Sequence, residues 1–362
     1  MNRTILGLLV LLVVAGVAVG LSYFDLSGVT RQLDRRDPVE VSILYGGEKS
    51  ALLANPAVKS IIQDRYKITL RASKAGSIEM ATTLDVTDRD CLWPSSTVAV
   101  EMARNAGRPV LGDTTIFNSP VVFYAWADVA NAMQAKGLVK AGNDGFLRAD
   151  VAGIGAMIEK GARWKEDLGL NIYGPFRIFS TDPAKSNSGN TWAALLAIVL
   201  NKGEPPNAAA LPAILPKLTA YFDAMGYMEA SSGDIFENFL KQGMGARPII
   251  VGYENQMVEF LSANATYADL IREKIRVIYP EPTVFASHPL ISLKPACARL
   301  AEALQDHDLQ AIAWADHGFR TGLIGVENNP ADIKAATLPA TIDLVVPMPT
   351  AAVMEQIIAA VH

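Results

Sequence analysis

Three consecutive units of strand, polar loop and helix begin at Val39, and this order constrains the possible fold more than any other feature. The predicted strands are Val39–Tyr45, residues 68–72 and a region that ends at Cys91–Trp93, all rich in β-branched, aromatic or other apolar residues. Alternation of strands with helices predicts an α/β fold with a mainly parallel sheet and right-handed crossovers.

Each of these strands leads into a loop of small and polar residues. The loops comprise residues 46–50, 74–80 and 94–96, and each contains serine, glycine or both. In open α/β sheets, ligands bind in the crevice beyond the carboxyl ends of the strands. The sequence therefore predicts a polar ligand site along one sheet edge.

A fourth polar loop, STDPAKSNSGNTW at residues 180–192, lies between a strand predicted at 171–180 and an apolar helix predicted at 191–200. A helix start has unpaired N–H groups and partial positive charge, so residues 186–190 could form a cup for an oxygen-rich or anionic ligand. Serine and asparagine are also preferred at ordinary N-caps. Because three other loops have similar composition, we favour a ligand contact here.

The middle of the chain, about residues 127–277, is more helical. Apolar spacing of the i, i+3, i+4 type predicts helices at 129–140, 149–160, 211–225 and 233–241. Further strands are predicted at 110–117, continuing through Asn118-Ser119-Pro120 into VVFYAW, and at 248–253 and 274–279. Helices at 295–305 and Ala351–Val361 complete the expected elements.

The N-terminus has the pattern of an export signal. Arg3 precedes an unbroken apolar run over residues 5–21, which is longer than the usual core of a cleaved signal. We therefore favour a retained transmembrane anchor at residues 1–22 with the domain in the periplasm or outside the cell; a cleaved signal peptide is the alternative. Residues 23–38 are polar and charged, which is typical of a linker.

Composition excludes several functions. The net charge is −5 and no run is rich in lysine or arginine, so nucleic acid is not an expected partner. Four scattered histidines and two cysteines predict no metal site and no cofactor. Cys91 and Cys297 could form a disulfide in an exported chain, but the sequence leaves this pairing open.

Several short motifs occur in a defined order and spacing. They are YGGEKS at 45–50, KAGSIEM at 74–80, DP at 182–183 with SNSG at 186–189, GYEN at 252–255, and YPEP at 279–282 with His288-Pro289. In this arrangement the chain, from Val39 to its C-terminus, resembles the type II periplasmic solute-binding proteins. The resemblance is strongest to the branch related to molybdate- and sulfate-type binders.

The resemblance implies two α/β lobes joined by two hinge strands. Lobe I is expected at residues 39–121 plus 283–362, and lobe II at 122–282. The crossings are expected near residues 120–126 and 279–285. Apolar strands flanked by proline suit segments that bend together during hinge closure.

The resemblance also implies that ligand contacts come from loops of both lobes. In particular, Ser188 and Asn187 are expected to face Ser77 and Ser50 across a gap. The full set of candidates is Glu48, Lys49, Ser50, Gly76, Ser77, Ile78, Ser95, Ser96, Asn118 and Ser119 in lobe I, and Ser186, Asn187, Ser188, Gly189, Tyr253 and Glu254 in lobe II.

The expected function is capture of a small polar or anionic solute by a monomer and its presentation to a membrane partner such as an ABC permease. No catalytic residue is assigned. The alternative is an enzyme on the same scaffold, a transferase or hydrolase with Glu48 or Glu254 as base. Convergence of both carboxylates on one cavity would favour it. The same fold could also serve as a sensor or assembly module, or as a structural module with a filled cleft. His288 is expected to be a structural turn residue.

Overall fold

The computed structural model describes residues 36–361. The predicted anchor or signal at residues 1–22, and the linker as far as residue 35, lie outside the described residues. Across the described chain, no helix combines the length and apolarity needed to cross a membrane.

The three predicted strand–loop–helix units form the first part of the fold. β1 (Val39–Tyr45) pairs in parallel with β2 (Ile68–Lys74) on one side and with β3 (Cys91–Trp93) on the other. This geometry brings the loops after all three strands to the same edge, as the sequence predicts.

A single 15-residue strand, β4 (Gly112–Trp126), runs through two sheets. Its first part, with β10 (Arg320–Thr321), joins β1–β3 through β9 (Phe285–Ser292); these strands are called sheet A. Its second part pairs with β7 (Ile249–Tyr253) and β8 (Ile275–Glu281) in sheet B, which continues to β6 (Leu147–Asp150) and β5 (Val139–Ala141). The strand order is β2-β1-β3-β9-β4-β8-β6-β5. The chain therefore passes between the sheets in β4 and again between β8 and β9.

Helices cover both sheets and position the loops between them. In chain order they are α1 (Ser50–Ala54), α2 (Pro56–Ser60), α3 (Ser77–Thr82), α4 (Thr97–Asn105), α5 (Ala127–Ala135), α6 (Val151–Glu159), α7 (Trp164–Leu168), α8 (Asn187–Leu200), α9 (Leu211–Asp223), α10 (Ser232–Gln242), α11 (Glu254–Ala263), α12 (Ala268–Lys274), α13 (Cys297–Leu304), α14 (His307–Ala315) and α15 (Ala351–Val361).

Aromatic side chains fill the core beneath each sheet. Trp93 packs against Phe117, which stacks on Phe319 at a centroid distance of 5.0 Å. On the sheet B side, Trp192 meets Phe123 edge-on at 5.3 Å. Burying such large rings contributes strongly to the hydrophobic free energy of folding.

The strand predicted at residues 171–180 is wrong. Only Phe179 pairs with a strand, in an isolated bridge to Ile250. Gly174 has a φ of +99° and Pro175 has no backbone N–H, so neither can continue a regular ladder. The following helix, α8, begins at Asn187, four residues before the predicted start.

The expectation of a mainly parallel sheet is also wrong. Among the described strands, three pairs are parallel and six are antiparallel. The antiparallel pairs arise mostly because β4 and β9 run in opposite directions where the chain passes between the sheets.

Cys91 and Cys297 form a disulfide, which the sequence had left open. It links β3 to the start of α13 across 206 positions, with the two Cα atoms 5.6 Å apart. Both cysteines are fully buried in the core that also contains Trp93. A buried disulfide is typical of a protein that folds in an oxidising compartment.

Replacing both cysteines with alanine should lower the free energy of unfolding by about 2–5 kcal/mol, because the crosslink restricts the unfolded chain. Denaturant titrations of the wild type and of Cys91→Ala/Cys297→Ala, each with and without dithiothreitol, measure this loss. Dithiothreitol should lower the denaturation midpoint of the wild type but not that of the double variant. A wild-type midpoint that is the same in both conditions would contradict the bridge.

Candidate functional site

The loop after β1 places a buried charge pair at the sheet edge. A 3₁₀ turn over Gly47–Lys49 turns Glu48 and Lys49 inward, where their exposures fall to 6% and 0%. Their side chains form an ion pair, and the Ser95 hydroxyl donates to the same Glu48 oxygen. Lys49 also donates to Ser95 Oγ at 3.1 Å and lies 5.4 Å from the centroid of Trp93.

This pair determines the local protonation states. Burial by itself raises the pKa of Glu48, but the charge and hydrogen bond of the adjacent Lys49 outweigh burial and hold that pKa well below its ordinary value. Burial lowers the pKa of Lys49, which the Glu48 charge opposes. For His288, burial and then the Lys49 charge lower the pKa to about 4. Near neutral pH the group is an ionised pair beside a neutral imidazole.

Asn187, at the start of α8, reaches across to this edge. Its Nδ2 donates to the backbone carbonyl of Ser95 at 2.8 Å and to the Tyr253 hydroxyl at 3.0 Å. Ser77 supports the same loop, because its Oγ accepts from the Ser95 backbone N–H at 3.1 Å. Side chains from both sheets therefore meet in one buried group.

Several polar atoms in this group make no hydrogen bond within residues 36–361. They are Oδ1 of Asn187, Oδ1 of Asn255 and both ring nitrogens of His288. His288 Nδ1 lies 3.5 Å from Glu48 Oε1, and Asn255 Nδ2 donates to the Glu48 carbonyl at 3.4 Å. Buried polar atoms without partners are costly, so a polar ligand would stabilise them. We call Glu48, Lys49, Ser77, Ser95, Asn187, Tyr253, Asn255 and His288 the cleft cluster.

The gap beside the cleft cluster is narrow. Its volume is about 10 Å³, and Gly76 forms part of its lining. The Ile78 N–H donates to the Lys185 carbonyl at 3.2 Å across the gap. A Cβ on Gly76 would lie only 2.3 Å from Lys185 O, so this close approach requires glycine. The loops must separate before any ligand can enter.

The polar start of α8 is largely occupied by its own loop. Thr181 Oγ1 accepts from the Gly189 N–H and lies 2.7 Å from the Ser188 hydroxyl, which is 3.3 Å from that of Ser186. A Cβ on Gly189 would lie 2.1 Å from Thr181 O. The structure therefore places Thr181 where the sequence suggested an anion cup.

The remaining lobe I candidates lie outside the cleft cluster. The Ser50 hydroxyl donates to the Gly47 carbonyl, and the Ser188 hydroxyl pairs with Thr181. Neither serine therefore makes the approach across the gap that the resemblance implied. Ser96 caps α4, and Ile78 is buried in the apolar core. Asn118 and Ser119 lie on β4 rather than in a loop: Asn118 accepts from Ser287 Oγ at 2.8 Å, and buried Ser119 Oγ has no hydrogen-bond partner within residues 36–361.

Glu254 belongs to a separate cluster. Both of its carboxylate oxygens accept hydrogen bonds from Arg320, at 2.8 and 2.9 Å, and Tyr279 donates to Oε1 at 2.7 Å. Burial lowers the pKa of Arg320, but the Glu254 charge outweighs burial and raises it. Glu48 and Glu254 therefore have different partners and do not form one shared acid–base site.

Sequence reasoning missed two members of the cleft cluster and one ion pair at its rim. Asn255 directly follows the candidate Glu254, and His288 precedes a proline, which suggested only a turn. Lys74 and Asp234 pair at 3.1 Å between β2 and α10. The sequence did contain a signal for the α10 side of this ion pair. SSGD at 231–234, where α10 begins, has the same small polar composition as the other loops.

Comparison with solved structures gives the same architecture. Iron-bound HitA from Pseudomonas aeruginosa has a TM-score of 0.57 at 13% identity, covering 90% of this chain and 99% of that one. The substrate-binding protein of an ABC transporter from Agrobacterium tumefaciens has a TM-score of 0.54 at 13% identity, covering 91% and 96%. The sulfate-binding protein SubI from Mycobacterium tuberculosis H37Rv has a TM-score of 0.50 at 14% identity, covering 81% and 88%.

This chain has the two-lobed fold of the type II periplasmic binding proteins. The expected fold class is thereby confirmed. The similar structures include iron binders as well as a sulfate binder, so they do not favour the molybdate and sulfate branch. No protein-family model matches the sequence, and no curated protein is significantly similar to it.

Replacing Gly76 with alanine should force the facing loops apart. The Ile78 amide, which donates to Lys185 O, should then exchange with solvent faster than in the wild type. Hydrogen–deuterium exchange measures this directly. Gly112→Ala is the matched control, because a Cβ there meets no atom within 4 Å. Unchanged protection of Ile78 in Gly76→Ala would contradict the requirement for close approach.

The stability of the fold should decrease as the pH falls from about 6.5 toward 4. Over this range an unfolded chain protonates His288, whereas the folded chain keeps it neutral. When this difference is complete, it lowers the free energy of unfolding by roughly 3 kcal/mol. Denaturant unfolding at several pH values should show this component in the wild type and lose it in His288→Gln. His307→Gln, at an exposed position, should retain the wild-type profile; equal profiles for all three proteins would refute the assignment.

Proposed function

We propose that this chain is an extracytoplasmic solute-binding protein that captures a small polar ligand between its lobes. The observation that carries the proposal is the cleft cluster, in which buried side chains from both sheets converge and four polar atoms have no hydrogen-bond partner within residues 36–361. Hydrogen bonds to a ligand would satisfy these atoms. Because these atoms come from both sides of the gap, a ligand that bonds to them would favour closure.

The ligand class follows from the charges. Glu48 and Lys49 neutralise one another, and His288 is neutral at physiological pH. A dianion would have to lie beside an ionised carboxylate with no additional cation in the cluster. The unpartnered amide oxygens accept hydrogen bonds rather than donate them. An uncharged or zwitterionic ligand that carries N–H or O–H donors fits better than an oxyanion.

Binding would act through a shift in conformational populations. With lobe I at residues 39–121 plus 283–362 and lobe II at 122–282, the ligand contacts both lobes only when they are closed. It therefore stabilises the closed form by the free energy of these added contacts. A membrane partner, such as an ABC importer, then distinguishes the closed form from the open one. Solved neighbours described as substrate-binding proteins support this role by fold alone.

Export is part of the proposal. The apolar run at residues 5–21 and the buried Cys91–Cys297 disulfide both favour a compartment outside the cytoplasm. A monomer tethered by its N-terminus, or released after cleavage, would meet its partner at the membrane surface.

A second candidate is a structural module that binds no solute. The 10 Å³ gap favours it, because a collapsed cleft is what a purely structural role would produce. The two candidates differ in whether any small molecule stabilises the folded chain.

The test is a thermal-shift screen of the full-length protein against amino acids, small uncharged amides, sulfate and molybdate. We expect at least one amino acid or amide to raise the melting temperature and the two oxyanions to leave it unchanged. Asn187→Ala should weaken ligand binding by about tenfold, because it removes the hydrogen bond that crosses the gap to the Ser95 carbonyl and the one to the Tyr253 hydroxyl within lobe II.

Asn143→Ala, at an exposed position in another loop, should respond like the wild type. A shift with sulfate or molybdate would overturn the ligand class. The absence of a shift with every compound would favour the structural module.

A further inference from the structure

A second cavity lies on the sheet B side, away from the cleft cluster. Its volume is about 320 Å³, within the range of small-molecule sites. It opens between α6, α8, α9 and the segment that precedes the α8 loop. Its apolar lining comes from Ile158, Phe176, Leu196, Leu200, Leu218 and Tyr221.

Helix α8 separates the two sites. Asn187 belongs to the cleft cluster, whereas Leu196 lines the cavity nine positions later, roughly 14 Å along the helix axis. The Tyr221 hydroxyl donates to the Ile178 carbonyl at 2.6 Å and accepts from Trp192 Nε1 at 3.0 Å. Because its polar end is satisfied internally, Tyr221 presents its ring to the cavity as an apolar wall.

The charges around the cavity are not balanced. Glu159 and Lys217 both line it and pair with each other at 2.6 Å. Arg177 lines the same cavity, is half-buried, and makes no hydrogen bond or ion pair with any residue in 36–361. Burial lowers the pKa of its guanidinium, which reflects the loss of solvent around an unpaired cation. An anion there would compensate for this desolvation.

We propose that this cavity binds a small amphipathic carboxylate. The carboxylate pairs with the fork of Arg177, and an apolar or aromatic body lies between Phe176, Leu196 and Tyr221. Arginine matches a carboxylate in bidentate geometry, and the mostly apolar lining disfavours a fully hydrated anion such as sulfate. This site is distinct from the cleft cluster. It requires a ligand with an anionic group, whereas the cleft cluster favours an uncharged or zwitterionic ligand.

The experiment uses phenylacetate and its uncharged analogue phenylacetamide as probes of the full-length protein. Isothermal titration calorimetry and saturation-transfer NMR should detect phenylacetate binding, and phenylacetamide should bind at least about tenfold more weakly. Arg177→Gln should weaken phenylacetate binding by about tenfold or more. Arg163→Gln, which changes another arginine of the same region that does not line the cavity, should bind like the wild type.

A second variant tests the cavity without removing a charge. Ala220 is exposed at the rim on α9, so Ala220→Trp should cover the opening and abolish phenylacetate binding while the circular dichroism and melting temperature stay unchanged. Ala213→Trp, at an exposed position of α9 outside the cavity, is its control. No binding by the wild type, equal binding of the two probes, or full binding by both Arg177→Gln and Ala220→Trp would overturn the proposal.

Discussion

Strand β4 is the constraint on which the rest of the architecture depends. Its backbone pairs with β9 in sheet A and then, without interruption, with β7 and β8 in sheet B. The second passage of the chain, from β8 to β9, runs beside it in the opposite direction. Separation of the sheets would break these ladders, so relative motion is restricted to bending of paired strands. The loops at the sheet edges can open and close while the backbone behind them stays connected.

Charge compensation explains how the cleft cluster can be both polar and buried. An isolated carboxylate or ammonium group in this position would be strongly destabilising, but Glu48 and Lys49 are adjacent and share Ser95. This neutral pair leaves little attraction for a net charge. The cavity beside Arg177 has the opposite character, since its cation has no fixed partner within the described residues. The two sites would therefore discriminate between ligands by charge as well as by shape.

The elements with strong local patterns were predictable, whereas the site was predictable only in part. β1 and α15 have the bounds that their apolar patterns predicted, because local burial determines them. The strand predicted at 171–180 failed because Gly174 and Pro175 interrupt pairing despite favourable neighbours. Within the site, loop composition identified the backbone edge but not the side-chain directions. Ser188 turns to Thr181 and His288 turns inward, and both orientations depend on tertiary packing that no local pattern encodes.

The order of strands in sheet A affects the order in which the parts of the chain can fold. β9 lies between β3 and β4, yet its residues follow the whole of sheet B in the sequence. During synthesis or translocation, β3 cannot pair with β9, and Cys91 cannot bond to Cys297, until roughly two hundred later residues have emerged. The last strand of sheet B, β8, ends at Glu281, before β9 begins in the sequence. The segment inserted in the middle of the sequence can thus fold first and serve as the surface on which the N-terminal part is completed.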